Sequence, residues 1–585
     1  MNLFRTKLAS VNRITWYPNY WDIIALLFVL AGIFLFAWVA KEMATPYQLG
    51  QSTPISLNPA VLPFYAGRTV VRMLIALFFS LLFTFVFGTW AAKSRHAERI
   101  IIPAIDILQA VPILGFLSVT IASFIRLFPG SLLGPECAAV FAIFTSQAWN
   151  MTFVFFQTVR SVPADLAETG LMFHLSAWQR FWRIEVPYAT PGLLWNTMAS
   201  MSAGWFFVVA AEAITVSNQD ILLPGIGSFI AVAIKAANLH AIGYAVLTMF
   251  IVILIYDQLL FRPLVAWAEK FKPEQQATEK TAESWVMNIF RRTRLMRKWG
   301  DKLAQLFDAF VNIKIFRPSP DIIFSKPLSK KNGNKLVGML WEVGILLLGI
   351  AAFIFLWYFV AAHISFAEIR WVFILGLITT SRVFILILLC SFIWVPLGIW
   401  IGLRPQVAQV AQAIAQILSA FPANLLYPFI VMMIVYYHLN PNIWLSPLMI
   451  LGAQWYILFN IVAGASLIPK ELLRVADNLG VTGWTRWQRL LLPSVFPYYV
   501  TGTIAAAGGA WNASIVAEVA SWGNEKIVAT GLGSYITQYT TVGNFARIAL
   551  GIGMMCLIVL IINRLIWRPL YVYAENRFVI GVSDV

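Results

Sequence analysis

The sequence predicts an all-α polytopic membrane protein of about twelve transmembrane helices, arranged as two parallel six-helix repeats. Three observations predict it. Of 585 residues, 60% are hydrophobic and 12% charged; apolar runs long enough to cross a bilayer recur from residue 22 to residue 568; and the second half repeats the first. Soluble domains carry roughly 25% charged residues, so this composition and a mean hydropathy of +0.77 exclude a soluble globular enzyme. Disorder, a collagen-like chain and a disulfide scaffold are excluded with it. Cys137, Cys390 and Cys556 lie far apart in apolar runs, so no metal site is expected. A net charge of +16 would suit nucleic acid, but the basic residues fall between the apolar runs, and no nucleic-acid partner is expected.

A bilayer core of about 30 Å needs roughly 20 apolar residues per helix. The first half offers spans at 22–40, 69–91, 101–127, 136–158, 191–214 and 240–262, and the second at 336–361, 372–402, 408–437, 443–466, 496–519 and 545–567. The first run follows Arg5, Lys7 and Arg13 without a small-residue cleavage site, which predicts a retained span and a cytoplasmic N-terminus. Alternate loops are basic: KSRHAER (93–99), the stretches holding Arg180 with Arg183 and Arg486 with Arg489, the long linker, and Arg404. The opposite loops carry mainly Lys41, Arg68, Lys235, Arg370 and Lys526, the asymmetry of the positive-inside rule. An even number of spans then puts the C-terminus in the cytoplasm as well. Tryptophans such as Trp16, Trp21, Trp357 and Trp567 suit interfacial belts or helix packing.

The repeat is visible without gaps. DQLLFRPLVAWAEKF (257–271) returns as NRLIWRPLYVYAENRF (563–578) at an offset of 306, which also pairs Pro163 with Pro469, Glu212 with Glu518, and PGIGSFI (224–230) with TGLGSYI (530–536). Upstream, ILQAVP (107–112) matches ILSAFP (417–422) at an offset of 310. The expected organisation is a first membrane unit at 1–271, a basic cytoplasmic linker at 272–335 and a second membrane unit at 336–585. Parallel repeats imply a pseudo-two-fold along the membrane normal framing a central pathway. The linker, with RRTRLMRKWGDK (291–302), is either an amphipathic helix at 284–311 on anionic headgroups or a solvated tether.

Between the fourth and fifth spans of each unit lies a segment too polar to span: PADLAETGLMFHLSAWQRFWRIEVPYATPG (163–192) and PKELLRVADNLGVTGWTRWQRLLLPSVFPYYVTG (469–502). Both read as helix, turn, helix. Pro163 and Pro469 suit a first helical position, Asp165 and Glu471 place a carboxylate at the positive helix end, and Pro187 and Pro493 are expected to end the second helix. Gly480 suits a left-handed cap. Their apolar and aromatic surface needs a docking partner or a lipid surface to cover it.

The pattern E-x-x-R-x-A-x-x-L-G followed by L-P, here ELLRVADNLGVTGWTRWQRLLLP (471–493), resembles the cytoplasmic loop of permease subunits of binding-protein-dependent ABC importers. The tails AEAITVSNQDILLPGIGSFI (211–230) and AEVASWGNEKIVATGLGSYI (517–536) are similar to the nitrate, sulfonate and taurine branch. The resemblance covers both units. It implies the MetI-like permease fold, a bacterial inner-membrane location, two cytoplasmic ATPase subunits holding ATP and Mg, and an extracytoplasmic solute-binding protein. It also implies a coupling role for Asp165, Gly170, His174, Trp178, Arg180, Arg183 and Pro187, and for Glu471, Ala476, Gly480, Trp484, Arg486, Arg489 and Pro493. Asp165, Gly170 and His174 depart from the motif, so the two segments need not be equivalent, and a left-handed turn at His174 costs more than at glycine. The implied cargo is a small anion such as nitrate, sulfonate, taurine or bicarbonate.

The chain has no G-x-x-x-x-G-K-[ST]. It is therefore expected to be a transport component and no enzyme, without catalytic residues or a cofactor of its own. Polar side chains in spans turn inward, which makes Asp106, Gln109, Gln409, Gln412, Gln416 and Asn424 candidates for pathway lining or for interhelical hydrogen bonds of about 0.6 kcal/mol each. Glu212 and Glu518, ahead of Gly225/Gly227 and Gly531/Gly533, are candidates for an outer gate, a docking site or local pairing. An ion-coupled secondary transporter is the alternative, but it needs ionisable groups at midplane and the spans offer mainly Asp106 and Arg72. A membrane enzyme needs a cluster, and the five histidines, His96, His174, His240, His363 and His438, are dispersed.

Overall fold

The computed structural model describes residues 20–43, 45–46, 54–110, 113–216, 219–271, 285–313 and 361–578, with isolated positions between 344 and 359. The chain divides into two compact units, one of Met1–Ala40, Val162–Pro191 and Tyr256–Lys326, the other of Lys41–Ser161, Gly192–Ile255 and Pro327–Val585. Nearly all of it is helix. Among the described residues seven helices are long and apolar enough to cross a membrane: Pro59–Lys93, Leu133–Arg160, Ala177–Glu212, Leu239–Ala268, Phe366–Gly402, Gly483–Ala517 and Phe545–Phe578. At 1.5 Å per residue a helix of 35 residues is about 50 Å long, so these outrun the hydrocarbon layer and project into water.

Two further spans are bent pairs, Ile414–Ala420 with Ala423–Tyr436 at 71° and Pro441–Ile450 with Trp455–Ser466 at 44°, which makes nine among the described residues where twelve were expected. The expected span 336–361 lies largely outside those residues. The first expected span is the helix Tyr20–Met43. The third span of the second repeat, expected as one helix, is broken, Pro405–Ala420 being followed by Tyr427–Tyr436; in the first repeat the described helices are Arg95–Ala110 and Ile113–Leu127. Pro422 explains the break, since a residue before proline is pushed out of the helical region, and Phe421 is extended at φ −71°, ψ 125°.

Pro187 and Pro493 do not end their helices, contrary to expectation. Each stands two residues after a five-residue π-turn, Phe181–Glu185 or Trp487–Leu491, and the helix continues through it to Glu212 or Ala517. Pro263 and Pro569 repeat the arrangement after Asp257–Phe261 and Asn563–Trp567. The ring of a proline clashes with the carbonyl four residues back and removes one hydrogen bond; a wider turn at that place moves the carbonyl away and lets the helix run on.

Two small antiparallel hairpins, unexpected in an all-α reading, follow the fifth span of each repeat: Ala213–Val216 with Gln219–Leu222, and Val519–Trp522 with Glu525–Val528. In the second unit, small residues bring helices together. A Cβ on Gly502 would stand 2.9 Å from the Tyr456 carbonyl oxygen, so the helices Trp455–Ser466 and Leu492–Ala517 meet through backbone.

Candidate functional site

The two helix-turn-helix segments share a plan and differ at Gly483, left-handed at φ 56° where its counterpart Ala177 is not. Helices Ala164–Met172 and Lys470–Asn478 begin one residue later than expected, with Pro163 and Pro469 at the N-cap, and Asp165 and Glu471 occupy the first turn. Both close in a Schellman motif. Leu175 N donates to Gly170 O at 3.0 Å and His174 N to Leu171 O at 2.9 Å; Val481 N donates to Ala476 O at 2.9 Å and Gly480 N to Asp477 O at 3.1 Å. The residue this motif holds left-handed is His174 (φ 51°) in one copy and Gly480 (φ 65°) in the other. Only the histidine meets a Cβ clash there, of about 1–2 kcal/mol.

Side chains differ where the backbones agree. Gly170 is buried, and a Cβ on it would lie 2.8 Å from Ile184 Cδ1; in the second copy Ala476 carries that methyl and faces Leu490 in sequence. Arg486 donates to Asp477 Oδ1 at 2.5 Å, a bond the first copy cannot make because Leu171 stands at that position. Trp178 donates to the Phe310 carbonyl at 3.2 Å, and Arg183 faces Asp308 at 3.8 Å, both in the linker. Trp484 is 73% exposed, and Arg489 is exposed too. Leu171, Met172 and Phe173 of the first copy, and Val475 and Leu479 of the second, present apolar surface to solvent.

Glu212 and Glu518 close a duplicated buried polar knot. Glu212 Oε1 accepts from Thr69 Oγ1 (2.6 Å) and Arg72 Nη1 (2.6 Å), its Oε2 accepts from Gly227 N (2.7 Å), and Thr69 Oγ1 in turn accepts from Ile226 N (3.2 Å). In the second repeat Glu518 accepts from Thr379 Oγ1 (2.8 Å), Arg382 Nη1 (3.2 Å) and Ser534 N (3.0 Å), and Thr379 Oγ1 accepts from Leu532 N (2.9 Å). Each carboxylate therefore caps the positive N-terminus of a helix, Ile226–Lys235 or Leu532–Val542. The two glycine pairs make room for this. A Cβ at Gly225 or Gly531 would overlap the carboxylate itself. Both carboxylates are thus paired locally.

Around the shared plan the charges differ and still cancel. In the first repeat Glu136 accepts from Arg72 Nε (2.5 Å), Arg72 Nη2 (2.7 Å) and Arg68 Nη2 (3.0 Å), giving two guanidiniums against two carboxylates, all buried. Arg68, read as a loop residue, thus lies inside the helix Leu62–Phe83. In the second repeat Asn442 takes the place of Glu136, accepting from Arg382 Nη2 at 2.9 Å, and Ile378 stands 310 residues after Arg68. One guanidinium then faces one carboxylate.

The third spans meet the opposite repeat. Ile113 N, at the start of the helix Ile113–Leu127, donates to Asn512 Oδ1 at 3.0 Å; Asn424, at the break in the second repeat, donates from Nδ2 to the Phe206 carbonyl at 3.1 Å. Residues 206 and 512 are 306 apart and so equivalent, which is the crossing a parallel two-fold produces. Asn424 Oδ1 is buried with no hydrogen-bond partner. Gln109 Nε2 donates to Asn150 Oδ1 at 2.8 Å, and Gln416 Nε2 approaches Met198 Sδ at 3.9 Å. The side chains of Asp106, Gln409 and Gln412 lie outside the described residues. No group of three metal-ligating side chains occurs among the described residues.

Sequence reasoning missed Arg68, Thr69, Glu136, Thr379, Arg382 and Asn442. The available signal was two arginines four residues apart on one face of an apolar helix, with a glutamate opening another. Buried charges of that kind need partners.

A many-span helical protein whose second half repeats the first, with a helix-turn-helix ahead of the fifth span of each copy, defines a permease-like membrane component. The chain belongs to the family described as binding-protein-dependent transport system inner membrane component, which it matches twice, at residues 84–262 and 394–568. It is similar to the glycine betaine/proline betaine transport system permease protein ProW of Escherichia coli, 28% identical over 161 residues that cover 27% of this chain and 43% of the relative. The nitrate import permease protein NrtB of Leptolyngbya laminosa is 26% identical over 186 residues, 32% of this chain and 63% of the relative. The bicarbonate transport system permease protein CmpB of Synechococcus elongatus is 24% identical over 184 residues, covering 32% and 60%. The chain thus spans about half the length of the curated relatives it matches first, 43% and 54%.

Proposed function

We propose that this chain is both permease halves of an ATP-driven importer, fused at a linker between residues 272 and 335, and that it forms the translocation pathway for a small solute. The observation that carries the reading is the duplicated helix-turn-helix at 164–180 and 470–486, with the same Schellman close of its first helix and exposed apolar side chains in both copies. Two cytoplasmic ATPase subunits would cover those surfaces and hold ATP and Mg, and a solute-binding protein would deliver cargo on the opposite face. Hydrolysis would turn the helix bundles as rigid bodies through the continuous helices Ala177–Glu212 and Gly483–Ala517.

The cargo names of the relatives, a betaine, nitrate and bicarbonate, share a planar oxyanion. A small solute bearing such a group is the substrate class we assign, and it includes the nitrate and bicarbonate of the narrower branch. Asn424, whose Oδ1 is unpaired at a helix break, and Gln416 would line its path. The test is copurification of an ATP-hydrolysing subunit with the tagged chain, followed by uptake into reconstituted vesicles loaded with ATP, with the solute-binding protein outside. Uptake stopped by vanadate and indifferent to an uncoupler supports the importer. Uptake stopped by the uncoupler alone would establish the ion-coupled alternative instead.

A further inference from the structure

The linker carries two helices, Trp285–Arg292 and Arg294–Val311, and the first is pinned at both ends to membrane-spanning helices. The Trp285 indole donates to Gln258 Oε1 at 3.3 Å, where the span Leu239–Ala268 passes through its π-turn. The Arg292 guanidinium lies 5.9 Å from the centre of the Trp21 ring, at the start of the apolar helix Tyr20–Met43. Both anchors stand where apolar sequence gives way to polar sequence, so the linker runs at the height of the membrane–water boundary.

The second linker helix bears one apolar stripe, Trp299, Leu303, Leu306 and Phe310, at spacings of four, three and four residues. Its last turn is laid on the first cytoplasmic segment. Phe310 packs edge-on against Trp178 (5.1 Å) and Trp182 (5.6 Å), and Phe307 meets Trp182 at 5.8 Å. Gln179 Nε2 donates to Asn312 Oδ1 at 2.9 Å, which fixes the register of the contact. The two preceding turns are bare: Trp299, Leu303 and Leu306 are 57%, 61% and 66% exposed.

Charge says what covers them. Residues 291–302 carry Arg291, Arg292, Arg294, Arg297, Lys298 and Lys302 against the single carboxylate of Asp301, and Lys302 Nζ sits 5.8 Å from the Trp299 ring centre. A basic run leading into an apolar stripe that holds a tryptophan, at the boundary, fits an anionic lipid surface. We propose that the bare part of the stripe seats among the headgroups of anionic lipids, so that the linker moors the first coupling segment to the bilayer surface. The consequence for coupling rests on the importer reading above; the lipid contact does not. Trp484, the counterpart of Trp178, is open, so the two segments differ in restraint.

The test uses the full chain in nanodiscs with and without phosphatidylglycerol, its three cysteines replaced by serine and a nitroxide placed by Leu303→Cys or Leu306→Cys. Oxygen is expected to collide with either label several-fold more often than a nickel chelate does in anionic discs, and Lys298→Glu with Lys302→Glu should abolish the dependence on phosphatidylglycerol. A label at Ala177→Cys should gain mobility when Phe310→Ala and Asn312→Ala are added, while one at Thr485→Cys stays unchanged. Free access of the chelate to 303 and 306 in both disc types overturns the lipid assignment. Protection that appears only when an ATP-hydrolysing subunit is added gives the stripe to that protein and overturns it as well. Failure of the importer reading would show separately, as lack of any such subunit's binding, and would leave the collision data as they are.

Discussion

Replacing Glu136 by asparagine copies half of what the second repeat does at the equivalent place, and the structure says that half is not enough. Glu136 accepts three hydrogen bonds, from Arg68 at 3.0 Å and from Arg72 at 2.5 and 2.7 Å. Without its charge, two buried guanidiniums face Glu212 alone and the knot carries one uncompensated positive charge. Removing one partner of a buried pair costs about 3–5 kcal/mol. Adding Arg68→Ile completes the second repeat's solution, Ile378 with Asn442, and cancels the excess charge; repacking then costs about 1–2 kcal/mol, so the second substitution recovers about 2–3 kcal/mol of the first one's cost. The assay is the fraction of detergent-solubilised chain that stays monodisperse on size exclusion after heating. The single variant should lose most of the wild-type midpoint's margin and the double variant should regain more than half of that loss. A double variant no more heat-resistant than Glu136→Asn alone would refute the claim that the two repeats hold alternative neutral arrangements of one knot.

Other outcomes follow from the same geometry. His174→Gly should stabilise the first cytoplasmic turn by about 0.5–1 kcal/mol, the left-handed penalty of about 1–2 kcal/mol less the chain entropy of glycine, whereas Gly480→Ala should weaken the second by about 1 kcal/mol; amide exchange across 170–176 and 476–482 reads both. Pro187→Ala restores a donor and removes the ring clash, so the π-turn at 181–185 should revert to an α-turn and shift the register of Trp178, visible as lost protection at its indole. Lys235 donates to Asp220 in the first hairpin and holds that carboxyl below its usual pKa. The pair therefore stabilises the hairpin above the ordinary aspartate value of about 3.9 and the benefit is lost as pH falls through the lowered one, so hairpin amide protection factors, corrected for intrinsic exchange, should fall in acid and Asp220→Asn should flatten that dependence. Gln416→Leu should lower uptake with assembly intact; unchanged uptake would leave Gln416 a packing residue.

Much of this architecture was legible because it is written twice. The offset of 306 carried the helix-turn-helix, the glutamates and the glycine pairs, and all of these fall at matching places in the structure. What escaped depended on contacts between distant residues. Arg68 looked like a loop cation because it stands one residue ahead of the span at 69–91 counted by hydropathy, and its burial is decided by Glu136, far away in sequence. Pro187 and Pro493 looked like helix ends because the rule for proline assumes α-geometry, which a π-turn suspends. The break after Ala420 was hidden by an apolar run that continues across it, since composition alone does not register a bend. The hairpins after Glu212 and Glu518 are too short, four residues a strand, for an alternating pattern to stand out.

The buried knot also sets an order of events during synthesis. Arg72 leaves the ribosome 140 residues before Glu212, its last ionic partner, and at about 5–20 residues per second that gap is roughly 7–28 s. Through this interval a helix with two guanidiniums on one face cannot be released into hydrocarbon alone. It must wait beside the insertion machinery, or at the lipid boundary, until the later helices arrive to neutralise it, and the second repeat, with one fewer cation to shelter, waits under a lighter load.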